Sequence, residues 1–424
     1  VENFHQTASN NDAAVSAAMA RHTKLVEALQ SAEEIPTEKR SATREGYLRK
    51  LFRALTQFAT GYAARETVAS CESLVPACLY GLRGGVAKPA EQYAACRVLE
   101  ATAVILGGDN DEYFESIEKY LRRVVMTTTR AVQVRGAALR TLCMANFICS
   151  TDTDITNSLL ALCEEVCAPE YRNESASSIL RATALDCWAL LSTTIHDAFI
   201  AGDDDFQTGR GLQILPLLSN CLDHTSVELR SAAGECVALI HESRLKLGVE
   251  KEDCDNASDR RYRRGSWDGS EWEVIMDEVK QRVAELSVES GRHMSKKAKK
   301  EQRATFREFM ATIVDDEPPK EVITFRGGTL ELNSWKEVVQ LNFIRHCLQG
   351  GFQIQLLTND TLHAIFGADG RMLGNAQTLS QLEKRMIFSK TSDAAKAADQ
   401  NMTKNRRNRN NVKNHFLTAD GDDI

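Results

Sequence analysis

The chain contains little proline, few aromatic residues and no long apolar run. Only 7 of its 424 residues are proline and only 6% are aromatic, while 43% are hydrophobic and 26% are charged. Because proline interrupts helices, its scarcity favours a mainly helical protein. No apolar stretch approaches the ~20 residues that cross a bilayer. The opening residues, VENFHQTASNNDAAVSAAMAR, lack the basic and apolar regions of a signal peptide, so we expect a soluble protein that is not secreted.

The cysteines lack the spacing of a disulfide framework or a zinc site. There are 12 of them, thinly spread, and none forms a CxxC pair. Cys143 in ALRTLCMANFI and Cys236 in GECVALIHE lie in apolar helical patterns, where a thiol behaves as a small buried hydrophobe. Cys163 and Cys167 share a helix face, but no second ligand pair accompanies them. We therefore predict reduced core cysteines in a cytosolic or nuclear protein, with no metal and no cofactor.

Motifs that carry catalysis are also missing. There is no Walker loop, HExxH motif or nucleophile elbow, and Arg326-Gly327-Gly328 is too short to cradle phosphates. His196, His224 and His241 fall within or beside helical patterns, which favours a structural role for them. The sequence therefore predicts a protein that is not an enzyme and has no small-molecule substrate.

Charge is strongly segregated along the chain. Residues 371–416 contain ten basic and three acidic residues, which gives this segment a net charge of +7. Residues 417–424 add three aspartates, so residues 1–370 carry −11 within a total of −7. A second basic island, RHMSKKAKKEQR, spans 292–303. Segregation of this kind points to a polyanionic partner for the two basic segments. Because no apolar run could cross a bilayer, we expect no membrane partner.

Four helical stretches of the first two thirds share one pattern. They begin at Glu91, Val132, Ser177 and Ser226, and they align when a polar residue followed by small residues is superimposed. The aligned polar residues are Gln92, Arg135, Arg181 and Arg230, spaced by 43, 46 and 49 residues. A period near 45 is typical of HEAT and armadillo repeats, in which each helix pair covers the apolar face of its neighbour. We predict five or six such units over residues 20–290.

Two polar loops interrupt this array. AGDDDFQTGRG contains Asp203, Asp204 and Asp205, which we interpret as a solvated loop because a calcium loop would need a further glycine and a distal glutamate. The stretch RRYRRGSW, residues 260–267, mixes arginine with aromatic residues, a composition suited to RNA. An ordinary surface loop is an equally acceptable interpretation of it.

The last third predicts a small α+β domain. Pro318 and Pro319 end a helix, and EVITF-RGG-TLELN reads as a β-hairpin with a three-residue loop. A helix follows, capped by Ser334 and stopped at Gly350. The domains we predict are a disordered segment (1–19), the repeats (20–290), an α+β domain (291–370) and a basic C-terminal helix with an acidic end (371–424).

Residues 295–416 resemble a known family. The stretches SKKAKKEQRATFREFM, ITFRGGTLELNSW, LNFIRHCLQGGFQIQLLTNDTLHAIFG and LEKRMIFSKTSDAAKAADQNMTKNRRNRNNVKNHF resemble, in order and spacing, the interferon-related developmental regulator family. The resemblance implies helical repeats upstream and association with translationally inactive ribosomes, with the C-terminal segment in the tRNA and mRNA path. It also implies a role as a transcriptional co-regulator. The tail is richer in asparagine than the family pattern.

The tail has the chemistry of a nucleic-acid ligand. No glycine or proline occurs from Asn375 to Asp420, so a continuous helix is permitted, although the asparagines lower its propensity. Basic side chains would contact phosphates, and His415 and Phe416 would stack on bases. The predicted RNA-binding residues are Lys384, Arg385, Lys390, Lys396, Lys404, Arg406, Arg407, Arg409, Lys413, His415 and Phe416 in the tail, and Lys296, Lys297, Lys299 and Lys300 in the basic island.

These observations lead to one functional hypothesis and its alternatives. We expect a cytoplasmic protein, also nuclear in some settings, that binds the ribosome through rRNA and ribosomal proteins and silences or stores it. The first alternative is a nuclear scaffold that recruits chromatin-modifying proteins and uses the tail as an import signal. A general RNA chaperone or export adaptor is the second.

Overall fold

The computed structural model describes most of the chain. The described residues are 18–83, 87–171, 174–175, 177–202, 209–254, 271–288, 296–325 and 328–367. One compact unit comprises Arg21–Phe325 and Thr329–Ala368. The other comprises Val1–Ala20, Arg326–Gly328 and Asp369–Ile424, of which only 18–20 and Gly328 are described.

Helices dominate the described residues. In chain order they are α1 (18–30), α2 (Ser41–Gln57), α3 (Gly61–Ala69), α4 (Leu74–Gly81), α5 (Pro89–Leu106), α6 (Asp111–Met126), α7 (Val132–Cys149), α8 (Thr153–Cys167), α9 (Ser178–Ser192), α10 (Asp197–Ala201), α11 (Arg210–Leu222), α12 (Val227–Cys254), α13 (Glu271–Val288), α14 (Lys296–Asp315), α15 (Trp335–Leu348), α16 (Phe352–Thr358) and α17 (Asp360–Ile365). The strands are β1 (Glu170–Tyr171), β2 (Glu174–Ser175), β3 (Glu321–Phe325) and β4 (Gly328–Leu332). No helix among the described residues is long and apolar enough to cross a membrane.

The helices pack in pairs that form two rows. The inner row consists of α2, α5, α7, α9, α12 and α14, and each of these helices packs on the next. The outer helices α6, α8, α11 and α13 each pack on the inner helix that follows them in the chain. The prediction of a mainly α, solenoid-like fold with a small sheet in its C-terminal region is confirmed.

Buried arginines explain two positions of the repeat pattern. Arg135 Nε donates to the Val125 carbonyl in the last turn of α6, at 3.0 Å. Arg181 Nε likewise donates to the Cys167 carbonyl at the end of α8, at 2.7 Å. Each arginine satisfies a carbonyl that the outer helix leaves without an intrahelical partner. The small residues after the aligned positions are buried, which lets neighbouring helices approach closely: Ala94, Ala95, Ala137, Ala138, Ala182, Ala232 and Ala233.

After α14 the chain turns back across the inner row. β3 and β4 form a two-stranded sheet, and β4 begins at Gly328, so the predicted three-residue loop is one residue too long. α15 then packs on α12, α9 and α5, and α16 packs on α2. Residues 335–366 therefore cross the inner helices in the reverse of their chain order, and we call them the crossing segment.

The two ends of α15 are set by different residues. As predicted, Ser334 is its N-cap, and the Ser334 hydroxyl accepts from the Glu337 amide at 3.3 Å. The helix ends one residue before the predicted Gly350, because Gln349 takes the left-handed conformation at φ +49°. Gly351 follows in a 3₁₀ turn and lies directly against the Thr56 carbonyl, where a Cβ would collide with the backbone of α2.

Several predictions on organisation fall where the structure is not described. The predicted boundary between the repeats and the α+β domain, at 290/291, lies within 289–295, outside the described residues. The whole predicted tail, 371–424, and all but residues 18 and 19 of the predicted N-terminal segment, 1–19, lie outside them too. α14 pairs with α13 and packs on α12 as a further inner helix. The domain boundaries therefore stay predictions.

Gly351→Ala is expected to destabilise the protein by about 1–3 kcal/mol, because the added methyl group meets the backbone of α2 rather than a flexible side chain. Gly350→Ala is the matched control, since a Cβ at Gly350 meets nothing within 4 Å. Urea unfolding of both variants measures the difference. Equal free energies of unfolding for the two variants would contradict the close contact.

Candidate nucleic-acid interface

The structure describes four of the predicted RNA-binding residues. Lys296, Lys297, Lys299 and Lys300 lie in the first turns of α14, and the Lys300 side chain is exposed. The eleven predicted residues of the tail, Lys384, Arg385, Lys390, Lys396, Lys404, Arg406, Arg407, Arg409, Lys413, His415 and Phe416, lie outside the described residues. The loops 203–205 and 260–267 lie outside them too.

The lysines of α14 stand at an electrostatically unfavourable place. The amino end of a helix carries partial positive charge, so it favours acidic side chains and disfavours basic ones. The first turn of α14 contains no acidic residue. A helix start of this composition favours a bound anion, which agrees with the predicted phosphate-rich ligand.

The end of the crossing segment fixes the point from which the tail departs. Asn359 Nδ2 donates to the Val104 carbonyl in the last turn of α5, at 3.0 Å. The Asn359 side chain also caps α17 by accepting from the amides of Thr361 and Leu362. Thr361 in turn lies against Gly107, which follows α5 at φ +76°. The described chain ends at Gly367, directly after this contact with α5.

The two predicted basic segments are thus attached far apart. The described chain, to which the tail is joined, ends beside α5, whereas the lysines belong to α14, which is four inner helices further along the row. Packed helices lie 8–10 Å apart, so the path along the row from α5 to α14 is roughly 40 Å. A ligand that binds the lysines of α14 and the tail at the same time is therefore a large particle or a long strand.

A row of charged side chains lies beneath the crossing segment. Arg97, Arg140, Asp186 and Glu235 each stand five residues after an aligned repeat position, one on each of α5, α7, α9 and α12. We call these four residues the charge ladder. Arg140 pairs with Asp186 across α7 and α9, and Arg97 pairs with Glu100 within α5. The ladder is basic towards the start of the array and acidic towards its end.

The direction of α15 matches the charges that its two ends meet on the inner row. At its amino end, the Trp335 amide donates to the Glu242 carboxylate of α12. At its carboxyl end, Arg97 Nη2 donates to the carbonyls of His346 and Cys347, at 2.7 and 2.8 Å. An anion therefore faces the positive end of the helix dipole, and a cation faces the negative end. A reversed helix would meet a like charge at both ends.

Side-chain contacts along α15 keep the same register. Asn342 Nδ2 donates to Glu235 Oε1 at 3.2 Å. The Arg140 guanidinium lies 5.0 Å from the centroid of the Phe343 ring, within the range of a cation–π contact. Lys336 pairs with Asp197 at 2.7 Å. All three contacts join α15 to charged residues of the inner row or of α10.

The next helix, α16, is held by a side chain that donates to backbone carbonyls of α2 and the residues after it. Gln355 Nε2, which is buried, lies within hydrogen-bond distance of three carbonyls at the end of α2, those of Leu55 (3.3 Å), Thr56 (3.2 Å) and Ala59 (2.7 Å). Together with Asn359 on α5, Gln355 therefore satisfies carbonyls at the ends of two inner helices. Two of the inner helices are capped by side chains of the crossing segment.

Burial shifts the titration of several groups at this contact. Burial raises the pKa of Glu100 and of Asp186 despite their arginine partners. It also raises the pKa of Glu235 to about 7 and lowers that of His346 to about 4, the latter with help from Arg140 and Arg97. His346 is therefore neutral at neutral pH, and Glu235 is close to half ionised.

Sequence reasoning missed the charge ladder. The signal was present, because the fifth residue after each aligned repeat position is charged within an otherwise apolar stretch. Two of the histidines make structural hydrogen bonds: His196 is the N-cap of α10 and its ring accepts from the Ala198 amide at 3.2 Å, and the His224 ring accepts from the Ser226 amide, just before α12, at 3.0 Å. Among the described residues, no group of three or more His, Cys, Asp or Glu side chains could hold a metal ion.

Glu235→Gln is expected to stabilise the fold at pH 8 by about 1–2 kcal/mol, and by less at pH 5. The folded-state pKa of Glu235, about 7, lies above the value in an unfolded chain. The protonated carboxyl thus contributes stability at low pH, and this contribution is lost as the pH rises through about 7. Glutamine mimics the protonated form at every pH. Urea unfolding at the two pH values measures the effect.

Glu228→Gln is the control with the opposite sign. Backbone hydrogen bonding and the Ser226 hydroxyl lower the pKa of Glu228, so its ionised form stabilises the folded state. This variant is expected to lose stability at pH 8. Equal effects of both substitutions at both pH values would contradict the assignment of Glu235.

Comparison with known proteins places the chain among sequence relatives of one family. The family model described as Interferon-related developmental regulator (IFRD) matches residues 3–314. Interferon-related developmental regulator 1 of Mus musculus is 24% identical over 306 residues, 70% of this chain and 62% of the relative. The Homo sapiens protein of the same name is 23% identical over 306 residues, again 70% and 62%. The chain spans about three fifths of the length of these two relatives.

A further relative covers more of the chain. Interferon-related developmental regulator 2 of Mus musculus is 26% identical over 377 residues, 85% of this chain and 78% of the relative. A match of that length necessarily continues beyond residue 314, into the C-terminal region 295–416 that resembles the family. The family model itself rests mainly on the helical repeats, and it covers well over half of the chain. The chain therefore belongs to the interferon-related developmental regulator family.

Proposed function

We propose that this protein is a non-catalytic ribosome-binding factor of the cytoplasm. Its basic tail would occupy the tRNA and mRNA path of translationally inactive ribosomes. The observation that carries the proposal is the segregation of charge: residues 371–416 hold +7, whereas residues 1–370 hold −11. An acidic body is repelled by RNA, so contact with RNA falls to the basic segments. The choice of the ribosome among RNA partners rests on the family resemblance.

The crossing segment supports this proposal mechanically. The tail departs from a point that Asn359 and Gln355 tie to α5 and α2. Once the body is bound to a particle, the tail is confined to a volume around that point. This confinement raises its effective concentration at a nearby site without any new contact. Occupation of that site would then exclude tRNA or mRNA by steric overlap.

The separation of the basic segments supports a large partner. The lysines belong to α14, whereas the described chain ends beside α5, roughly 40 Å away along the row of inner helices. On a ribosome both basic segments would meet phosphates. An import signal, by contrast, needs only a short basic cluster. The nuclear co-regulator scaffold is the competing outcome, in which the repeats bind chromatin-modifying proteins and the tail acts in import alone.

Sedimentation of a cell lysate through a sucrose gradient tests the proposal. The full chain is expected with the monosomes, while a chain ending at Gly367 and the variant Arg406→Glu, Arg407→Glu, Arg409→Glu stay at the top. The control is Asp420→Asn, Asp422→Asn, Asp423→Asn, which changes charge in the same region without removing a cation and should still sediment. If the full chain stays at the top at low salt, the proposal is wrong.

The salt dependence of the affinity for ribosomes gives a second, quantitative test. Each phosphate contact on a single strand contributes about −0.7 to the slope of log affinity against log salt, so the five cations Lys404, Arg406, Arg407, Arg409 and Lys413 contribute about −3.5. The triple glutamate variant should therefore have a clearly shallower slope on purified ribosomes. Lys296→Gln, Lys297→Gln, Lys299→Gln, Lys300→Gln should reduce the slope independently. A slope unchanged by both sets would show that neither basic segment contacts RNA.

A further inference from the structure

Two buried thiols from neighbouring outer helices lie close together. Cys167 is the last residue of α8, and Cys221 is in the last turn of α11. Their sulfur atoms are 4.0 Å apart although 54 residues separate them in the chain. Both side chains are closed to solvent in the folded state, and both are free thiols.

An arginine stands against both cysteines. Arg181 Nη2 lies 3.3 Å from Cys221 Sγ, and Arg181 Nε donates to the Cys167 carbonyl at 2.7 Å. A guanidinium stabilises a thiolate by charge and by hydrogen bonding. The same arginine that joins α9 to α8 therefore also faces the Cys221 sulfur.

The electrostatics set Cys221 apart from other buried cysteines. Burial raises the pKa of Cys78, Cys96 and Cys236. For Cys221, a hydrogen bond from the Cys167 thiol and the nearby Arg181 lower the pKa despite burial. Cys167 is shifted in the opposite direction, chiefly because it donates to Cys221. Of the two thiols, Cys221 is therefore the one that loses its proton more readily and the better candidate for the nucleophile.

We propose that Cys167 and Cys221 form a peroxide-reactive dithiol that closes to a disulfide between α8 and α11. In the first step the Cys221 thiolate attacks one oxygen of a hydroperoxide. The O–O bond breaks, Cys221 becomes a sulfenic acid, and hydroxide leaves. In the second step the Cys167 sulfur attacks the Cys221 sulfur. The S–O bond breaks and water leaves with the Cys167 proton. Two thiols and one hydrogen peroxide give one disulfide and two waters.

The geometry limits both the movement and the oxidant. A disulfide has an S–S length of about 2.05 Å, so the sulfurs must approach by roughly 2 Å. Both residues lie at helix ends, where local opening is least costly. Hydrogen peroxide is small enough to enter through such an opening. A glutathione disulfide must reach the sulfur with a whole tripeptide, so the buried pair favours the peroxide.

Oxidation of the full chain by hydrogen peroxide tests the proposal. After alkylation of the remaining thiols and digestion without reductant, mass spectrometry is expected to find the Cys167–Cys221 peptide pair. Cys221→Ser should abolish it, and Cys167→Ser should leave a dimedone-reactive sulfenic acid on Cys221. Cys236→Ser is the matched control, since Cys236 is equally buried and its sulfur contacts the Leu185 carbonyl instead. It should leave the disulfide intact.

Arg181 provides a readout that a merely structural contact would not give. Arg181→Met should slow the reaction at pH 7 by roughly threefold for each unit by which the Cys221 pKa rises, because lost thiolate outweighs the gain in nucleophilicity. The pH profile should shift upward, and Arg181→Lys should restore part of the rate. Circular dichroism identifies any variant that fails to fold, in which case the cysteine variants alone decide.

Three results would overturn the proposal. One is the absence of the Cys167–Cys221 disulfide under conditions that oxidise the partly exposed Cys71. Another is a pH profile that is the same with and without Arg181 in folded protein. The third is a mixed disulfide of Cys221 with glutathione that forms faster than the internal one. None of these tests involves RNA or the ribosome, so their outcome is independent of the proposed function.

Discussion

The contact between α15 and the inner row orders the whole C-terminal region. α15 crosses three inner helices with Glu242 at its amino end and Arg97 at its carboxyl end, so each end of the helix dipole meets the opposite charge. Dipole and charge interactions of this kind contribute about 0.3–2 kcal/mol each. Their larger effect is on direction, since the reverse orientation would place a charge of the same sign against each end of the helix dipole. Position follows from the same contact, because Gly351, Gln355 and Asn359 can reach α2 and α5 only when α15 lies in this register.

The contact with α15 also explains why charged residues of the inner row are buried. The inner helices carry polar residues on the side away from the outer row, and several of them are almost fully buried, including Arg97 and Glu100. A buried ion pair seldom adds net stability over an apolar pair, but removing one partner is costly. The charge ladder therefore acts mainly as a register device. It distinguishes one docking of α15 from others that apolar contacts alone would allow.

Much of the fold could be predicted from the sequence, but the residue that ends α15 and the charge ladder could not. The repeats were found because arginine, small and bulky residues recur near every 45 positions, and Arg135 and Arg181 do play equivalent roles. The sequence predicts that Gly350 stops α15, because glycine usually takes the position with positive φ. In the structure Gln349 takes that position, and Gly351 is the glycine that a close contact requires, against Thr56. The charge ladder was missed because its members are far apart in sequence and pair only through packing. The predicted RNA contacts of the tail lie in residues that the structure does not describe, so they remain predictions.

Hydrogen exchange of the crossing segment tests most directly whether the charge ladder holds it in place. In the double variant Arg97→Met, Glu100→Gln, both members of the buried pair lose their charge together, and the carbonyls of His346 and Cys347 lose their donor. The account predicts exchange at least tenfold faster in α15 and α16, with α6 and α7 unchanged from the wild type. Unchanged protection of α15, or faster exchange spread evenly over all inner helices, would contradict it.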